Sequence, residues 1–505
     1  MSIRRHPLSW AAAIVGVFGF GVSFALSWVP SLDFNEAATV ISALRPWPAL
    51  WREIHRVDAV HATYYALIHV WFDLVGYTPL TLRIPASVAA GAATGLLVVL
   101  GRRLAGLRFG IAAGVVFAVL PQTMWMGFEG RQYEASMALA TGLVLLFLAA
   151  RDRTASGARS WPWWAGFAAL GILGQYLFGY LVMLDLGLAA LLLLQRRWAA
   201  LARFAAAVGA TVAAWAPLAV LELHETGQIS WIGGLGRGTA AQVLEQQYFA
   251  GDPRLALVGW LAAGASAAVG LYAAVRGRGT ATRRVAAVAL PWLVVPTGIL
   301  LAATALGHHL YAPRYAAFST PALALLIAAP VLWLRARPIA VRPLATAAAL
   351  VAVCALAAPT WAAQRTPGSK EADAWNQIAA VIASERKEEP KNARNVVVFG
   401  AAHAHKVATS QVIADLYPKA FAGMDDITLA RNYDRAPGLW DLSRPLADVV
   451  SRARGASYVW VLTTVQSGQA PADERMLAPL GFRVREEWRM KGELVLQLEH
   501  TSPQV

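Results

Sequence analysis

The chain has 505 residues, 57% of them hydrophobic and only 15% charged, a balance too apolar for a soluble domain and long enough for about ten membrane spans plus a soluble module. Its net charge of +14 would suit nucleic acid in a soluble protein. Here the arginines sit in short loops between apolar runs, where they encode orientation in a bilayer, and no basic stripe interleaved with exposed aromatics offers nucleic acid a surface. The lone Cys354 can form no internal disulfide.

In chain order, apolar runs fall at 8–29, 84–101, 110–127, 134–150, 162–178, 179–195, 202–221, 255–275, 285–305, 315–334 and 343–362. Each of the eleven is near the roughly 20 residues a helix needs to cross hydrocarbon. Arg4 and Arg5 lead into the first run without a small-residue cleavage site, so it reads as a retained span. The stretch 62–77 is short, aromatic and carries His69 and Asp73. If it stays out of the bilayer core, Arg102/Arg103/Arg108, Arg151/Arg153/Arg159, Arg196/Arg197/Arg203, Arg276/Arg278/Arg283/Arg284 and Arg335/Arg337/Arg342 share one face, as the positive-inside rule expects. If it crosses, that face loses nearly all its arginines. It therefore reads as an outer interfacial helix. The amino terminus is then expected in the cytoplasm, and loops 30–83, 128–133, 222–254 and 306–314 outside the plasma membrane.

Residues 1–363 thus read as a membrane domain. Gln364-Arg-Thr-Pro-Gly-Ser-Lys370 is a polar linker into a tail of soluble composition, which an odd number of spans puts outside. Strands are expected at 395–399, 458–463 and 494–499, and helices at 371–385, 404–416 and 444–453, making 364–505 a small extracytoplasmic α/β domain. His403 and His405 read as loop residues within it.

Candidate chemistry gathers at the outer rim, where a charged group must be solvated, paired or used. Asp33, Asn35 and Glu36 close the first span, and Asp58 and His61 arrive at the start of the interfacial helix. A hydroxyl acceptor attacking an activated anomeric carbon needs such a carboxylate as general base. Glu129 and Arg131 flank the third span, and Arg314 the last outer link. An arginine there suits a phosphate anion, and a lipid phosphate leaving group must be neutralised at this depth. A divalent cation could also serve, although His308 and His309 lack a ligand spacing such as His-x-x-x-His.

Along residues 10–330 the stretches Asn35-Glu36, His61-Ala-Thr-Tyr-Tyr65, Gly76…Leu82-Arg-Ile-Pro85, Glu129-Gly-Arg-Gln-Tyr133 and Arg314-Tyr-Ala-Ala-Phe-Ser-Thr-Pro321 resemble, in order, the pattern of membrane glycosyltransferases of the GT-C class. Within that class the likeness is to glycosyltransferase family 39 and the protein O-mannosyltransferase-like group. The resemblance implies a helical polytopic GT-C-like fold, a polyprenyl-phosphate-linked monosaccharide donor, mannose first and arabinofuranose next, and inversion by direct displacement. The acceptor, a lipid, glycan or protein of the cell envelope, is reached from outside. It implies Glu36, Asp58 and Asp33 as candidate catalytic carboxylates, Arg131 and Arg314 as donor-phosphate ligands, and His61, Tyr64, Tyr65, Glu129, Tyr133, His309 and Tyr315 as substrate contacts. Two departures stand out: Asn35 occupies the usual Asp position and an amide cannot act as a base, and the prolines that usually follow the histidine are absent. Two rival readings remain, a transporter or flippase of lipid-linked sugars and a catalytically impaired scaffold of the same fold. A transporter would need ionisable residues near the midplane, where Asp185 is the main acid.

Overall fold

The computed structural model describes residues 7–225, 231–277, 280–336, 338, 341–370, 374–402 and 408–501. They divide into two compact units. One comprises Met1–Ser27, Asp58–Tyr64 and Arg83–Ala362, the other Trp28–Val57, Tyr65–Leu82 and Ala363–Val505.

Among the described residues seven helices are long and apolar enough to cross a bilayer: Pro79–Ala105, Tyr133–Ala155, Trp198–His224, Pro253–Val275, Ala281–His308, Pro313–Leu334 and Val341–Ala363. Each of the eleven expected runs coincides with helix, but four fall short of a full span. Leu8–Phe24, Leu107–Val119 and Gly179–Leu194 are apolar and shorter, and Trp161–Leu177 has 17 residues. The breaks have local causes that hydropathy does not register. Leu120 precedes Pro121 and is extended, at ψ 131°, because proline disfavours the helical region for the residue before it. Phe178 is extended too, at φ −158°, which parts two apolar runs that adjoin in sequence.

Lipid offers no hydrophobic drive for one helix to bind another, so close packing of small residues must supply it. The Pro7–Phe24 and Pro79–Ala105 helices meet in this way: a Cβ at Gly16 would stand 3.0 Å from the Gly91 carbonyl, and one at Gly91 only 2.9 Å from the Gly16 carbonyl. Elsewhere in this unit Phe147, Trp164, Phe167 and Phe204 interlock, mostly edge to face, with centroids 5.4–6.3 Å apart, the arrangement that ring quadrupoles favour.

The second unit is built on strands β1 (Asn395–Phe399), β2 (Asp425–Asp426), β3 (Leu429–Arg431), β4 (Leu442–Ser443), β5 (Tyr458–Thr464), β6 (Phe482–Met490) and β7 (Glu493–His500). Five form a sheet in the order β2-β1-β5-β7-β6, and β3 and β4 pair separately. β1 lies parallel to β2 and β5, whereas β7 is antiparallel to β5 and β6. β1 and β5 are buried along their whole length, and a strand covered on both faces reads as a continuous apolar run. The Trp375–Glu388 helix belongs to this unit, as does the Phe34–Ala43 helix, whose Phe34 ring meets Trp375 edge to face at 4.8 Å. Arg45, just beyond that helix, is buried, pairs with Glu53 at 2.7 Å and donates to the carbonyls of Gly438 and Leu439 at 3.0 and 2.8 Å.

Gly91→Val should therefore overpack the first helix crossing and cost about 1–3 kcal/mol of stability. Gly21→Val, where a Cβ meets nothing within 4 Å, should leave it nearly unchanged. Thermal unfolding of both variants in detergent checks the contrast, and equal losses would refute it.

Candidate functional site

Asp58 opens the site in the first unit with a backbone few side chains adopt, left-handed at φ 63° and ψ 27°; aspartate is among the residues that tolerate it. The short turn Ala59–His61 follows, closed by the His61 N–H donating to the Asp58 carbonyl at 2.9 Å. Glu225 reaches in from a distant part of the chain to accept the Ala59 N–H at 2.7 Å. A strained residue persists only where its surroundings over-determine it, and such strain concentrates at functional sites. The Gln132 side-chain amide donates to His61 Nδ1 at 2.6 Å, joining this turn to the segment just before the Tyr133–Ala155 helix.

That segment carries Glu129, Arg131 and Gln132, all buried. Arg314 lies within electrostatic reach of Tyr133, Tyr315, Glu129 and Arg131. Its guanidinium sits 4.6 Å over the Trp231 ring and 5.7 Å from that of Tyr315, and Tyr315 stacks on Tyr180 at 4.8 Å. Burial above all, then the charges of Arg131 and Arg314, pushes the His61 imidazole well below the ordinary value of 6.5. Two guanidinium groups thus share a largely enclosed, aromatic-walled place with a neutral histidine, an environment suited to an anion held bidentately.

Of the sequence-predicted residues, Asp58, His61, Tyr64, Glu129, Arg131, Tyr133, His309, Arg314 and Tyr315 fall in this unit. His309 donates from Nδ1 to the Ile232 carbonyl at 3.1 Å, and its neighbour His308 is exposed. Among the described residues no group of three or more His, Cys, Asp or Glu side chains gathers as metal ligands would. Sequence reasoning passed over Gln132, Tyr180, Glu225 and Trp231. Gln132 was legible in principle, lying between two residues already singled out, whereas Glu225 and Trp231 meet this cluster from positions remote in sequence that no local pattern encodes. Glu134 is also buried, with both carboxyl oxygens lacking a hydrogen-bond partner among the described residues. Asp185 accepts from Gln175 at 3.3 Å inside the helical core.

Asp33, Glu36 and Tyr65 belong to the second unit. Asp33 caps the Phe34–Ala43 helix, its Oδ1 accepting the Glu36 N–H at 2.9 Å, as N-cap aspartates do. Glu36 is fully buried and meets Lys370 Nζ at 2.7 Å, with Asp33 at 3.5 Å from the same ammonium. Lys370 is the last residue of the linker, and spacing gives no sign that it pairs with the first loop. His403 and His405 lie outside the described residues.

Two outcomes follow from these environments. Lys370→Met strands a buried carboxylate and should cost about 3–5 kcal/mol, while adding Glu36→Leu should recover much of it; thermal unfolding of the single and double variants decides, and a harmless single variant would refute the pairing. His61 should stay neutral well below pH 6.5. Because the unfolded chain then binds that proton more readily than the folded one, the stability the neutral imidazole contributes is complete above about pH 6.5 and declines as pH falls through it. Imidazole ¹⁵N shifts report the titration, and a midpoint near 6.5 would contradict the assigned environment.

No protein-family model matches the chain, and neither does a curated protein. Solved structures do. ArnT from Cupriavidus metallidurans bound to undecaprenyl phosphate aligns with 96% of this chain and 97% of its own, at a TM-score of 0.59 and 13% identity. The Archaeoglobus fulgidus oligosaccharyltransferase complex with zinc and sulfate aligns with 97% of this chain and 73% of its own, at 0.51 and 12%. The archaeal oligosaccharyltransferase AglB from the same organism, in complex with an inhibitory peptide and a dolichol-phosphate, aligns with all of this chain and 75% of its own, at 0.51 and 10%. At such identities the likeness is one of fold: this chain is a polytopic membrane protein with the GT-C architecture and a small C-terminal α/β domain.

Proposed function

We propose that this protein is a membrane glycosyltransferase that transfers a monosaccharide, mannose in the first instance, from a polyprenyl-phosphate carrier to a hydroxyl of a cell-envelope acceptor at the outer face of the plasma membrane. The observation that carries this reading is buried Arg131 and half-buried Arg314 beside neutral His61 and the strained Asp58 turn. Additional support comes from two neighbours in fold, solved with undecaprenyl phosphate and with dolichol-phosphate.

In the proposed reaction the acceptor oxygen attacks the anomeric carbon from the face opposite the phosphate. A new C–O bond forms as the bond to the phosphate oxygen breaks, inverting that carbon, and the phosphate departs with the electron pair. The acceptor proton passes to a carboxylate acting as general base. Asp58 is the first candidate, because it shares a unit with both arginines and its backbone is held in place by Glu225 through Ala59. Glu36 and Asp33 are the alternatives, with Lys370 as the cation that orients them. Arg131 and Arg314 neutralise the charge that grows on the leaving phosphate, where fixed donors in a water-poor site contribute most. Tyr133, Tyr315 and Glu129 line the same place for sugar hydroxyls, and the carrier tail lies along apolar helix surface.

Purified protein in nanodiscs, given radiolabelled polyprenyl-phosphate mannose and an envelope extract, should transfer label. Arg314→Ala should slow transfer by about 10²–10³-fold, and Asp58→Asn should abolish it while leaving donor binding intact. If Glu36→Gln abolishes transfer and Asp58→Asn does not, the base is Glu36. If neither the mannose nor the arabinofuranose donor is used although polyprenyl phosphate binds, the enzyme reading fails.

A further inference from the structure

The helical unit holds a cavity far from this cluster. Arg151 and Asp152, on its wall, lie eighteen residues or more beyond Tyr133 on one continuous helix, about 27 Å along its axis at 1.5 Å per residue. The crevice measures about 860 Å³. Its apolar walls come chiefly from Leu191 and Leu194 of the Val182–Leu194 helix and from Leu290 and Val294 of the Thr280–Ala303 helix. These helices touch beside it, where a Cβ on Gly187 would stand 2.9 Å from the Pro291 carbonyl.

The other part of the lining is cationic. Asp152, its one acid, is already engaged by Arg103 and Arg151 at 2.7 and 2.8 Å. Arg197, Arg283 and Arg284 also line the crevice. All three are exposed, and among the described residues none forms an ion pair. Arg283 and Arg284 are consecutive, and an anion bound between them lowers their mutual repulsion. Arg284 is ten residues from Val294 on the same helix, about 15 Å, which matches half of a hydrocarbon core about 30 Å thick. The crevice therefore places positive charge at one level and apolar wall over one leaflet's depth beyond it.

We infer that this crevice binds a diacyl anionic phospholipid, its phosphate against Arg197, Arg283 and Arg284 and an acyl chain along the Leu191–Leu194 and Leu290–Val294 walls. A zwitterionic lipid fills the same walls but brings its own cation to the arginines. A polyprenyl phosphate carries the anion, but its chain is far longer than a single-leaflet wall. The site lies apart from the Arg131 and Arg314 cluster, so the inference does not depend on the chemistry proposed there.

Native mass spectrometry of the full chain in mixed micelles, titrated with phosphatidylglycerol or phosphatidylcholine, tests it. One phosphatidylglycerol should be retained at least about tenfold more tightly than phosphatidylcholine, by the attraction of basic side chains for anionic lipid. The triple variant Arg197→Gln/Arg283→Gln/Arg284→Gln should erase that preference. Ala190→Trp, which fills the crevice and leaves the arginines in place, should weaken retention of both lipids and keeps the test valid if the triple variant misfolds. Equal retention of the two lipids by the wild type, a preference untouched by both variants, or displacement of phosphatidylglycerol by equimolar undecaprenyl phosphate would each overturn the assignment.

Discussion

A charge taken out of water must be given a counter-charge, a hydrogen-bonding shell or a ligand, and the arrangement of this molecule follows from how it meets that demand. Glu36 is answered by Lys370, Glu53 by Arg45, and Asp185 by Gln175. Arg131 and Arg314 lie among Glu129, two tyrosines and a histidine kept neutral. Two guanidinium groups in one place suit an anion, and the proposed function rests on them rather than on the acids that dominate the first loop.

The membrane helices were legible because burial in lipid demands apolar length, a property each segment carries by itself. The strands β1, β5 and β7 were legible for a similar reason, since runs such as Val396–Phe399 and Val459–Leu462 admit few other readings. What could not be read was anything settled by a neighbour or a kink. The break at Leu120 is marked by Pro121, which hydropathy alone passes over, whereas Phe178 divides a hydrophobic stretch without any change of composition. Strand β6 escaped notice because Arg483, Arg485, Glu486, Glu487 and Arg489 make it look like loop, while pairing with β7 is what makes it a strand.

Site residues divide along the same line. Glu129, Arg131 and Arg314 were visible as polar residues at span ends and His61 at the start of the interfacial helix, and the fold brings them together. Lys370, Glu225 and Trp231 acquire their meaning from contacts with residues remote in sequence. The two units are interleaved in the chain, which passes from one to the other five times. Asp33 and Glu36 were grouped with Asp58 because both sets lie at the outer rim of the membrane domain; Asp33 and Glu36 belong to the unit that contains the C-terminal sheet, and Asp58 to the helical one.

The edges of that sheet carry one more implication. β2, at one end, is only two residues long, and β6, at the other, is charged and largely exposed. Short edges and charged edges both discourage a further strand from docking. A polymer laid against this unit would thus be turned away from extending the sheet and gripped by side chains and loops, so selectivity there would depend on chemical groups projecting from the polymer more than on its capacity to adopt an extended main chain.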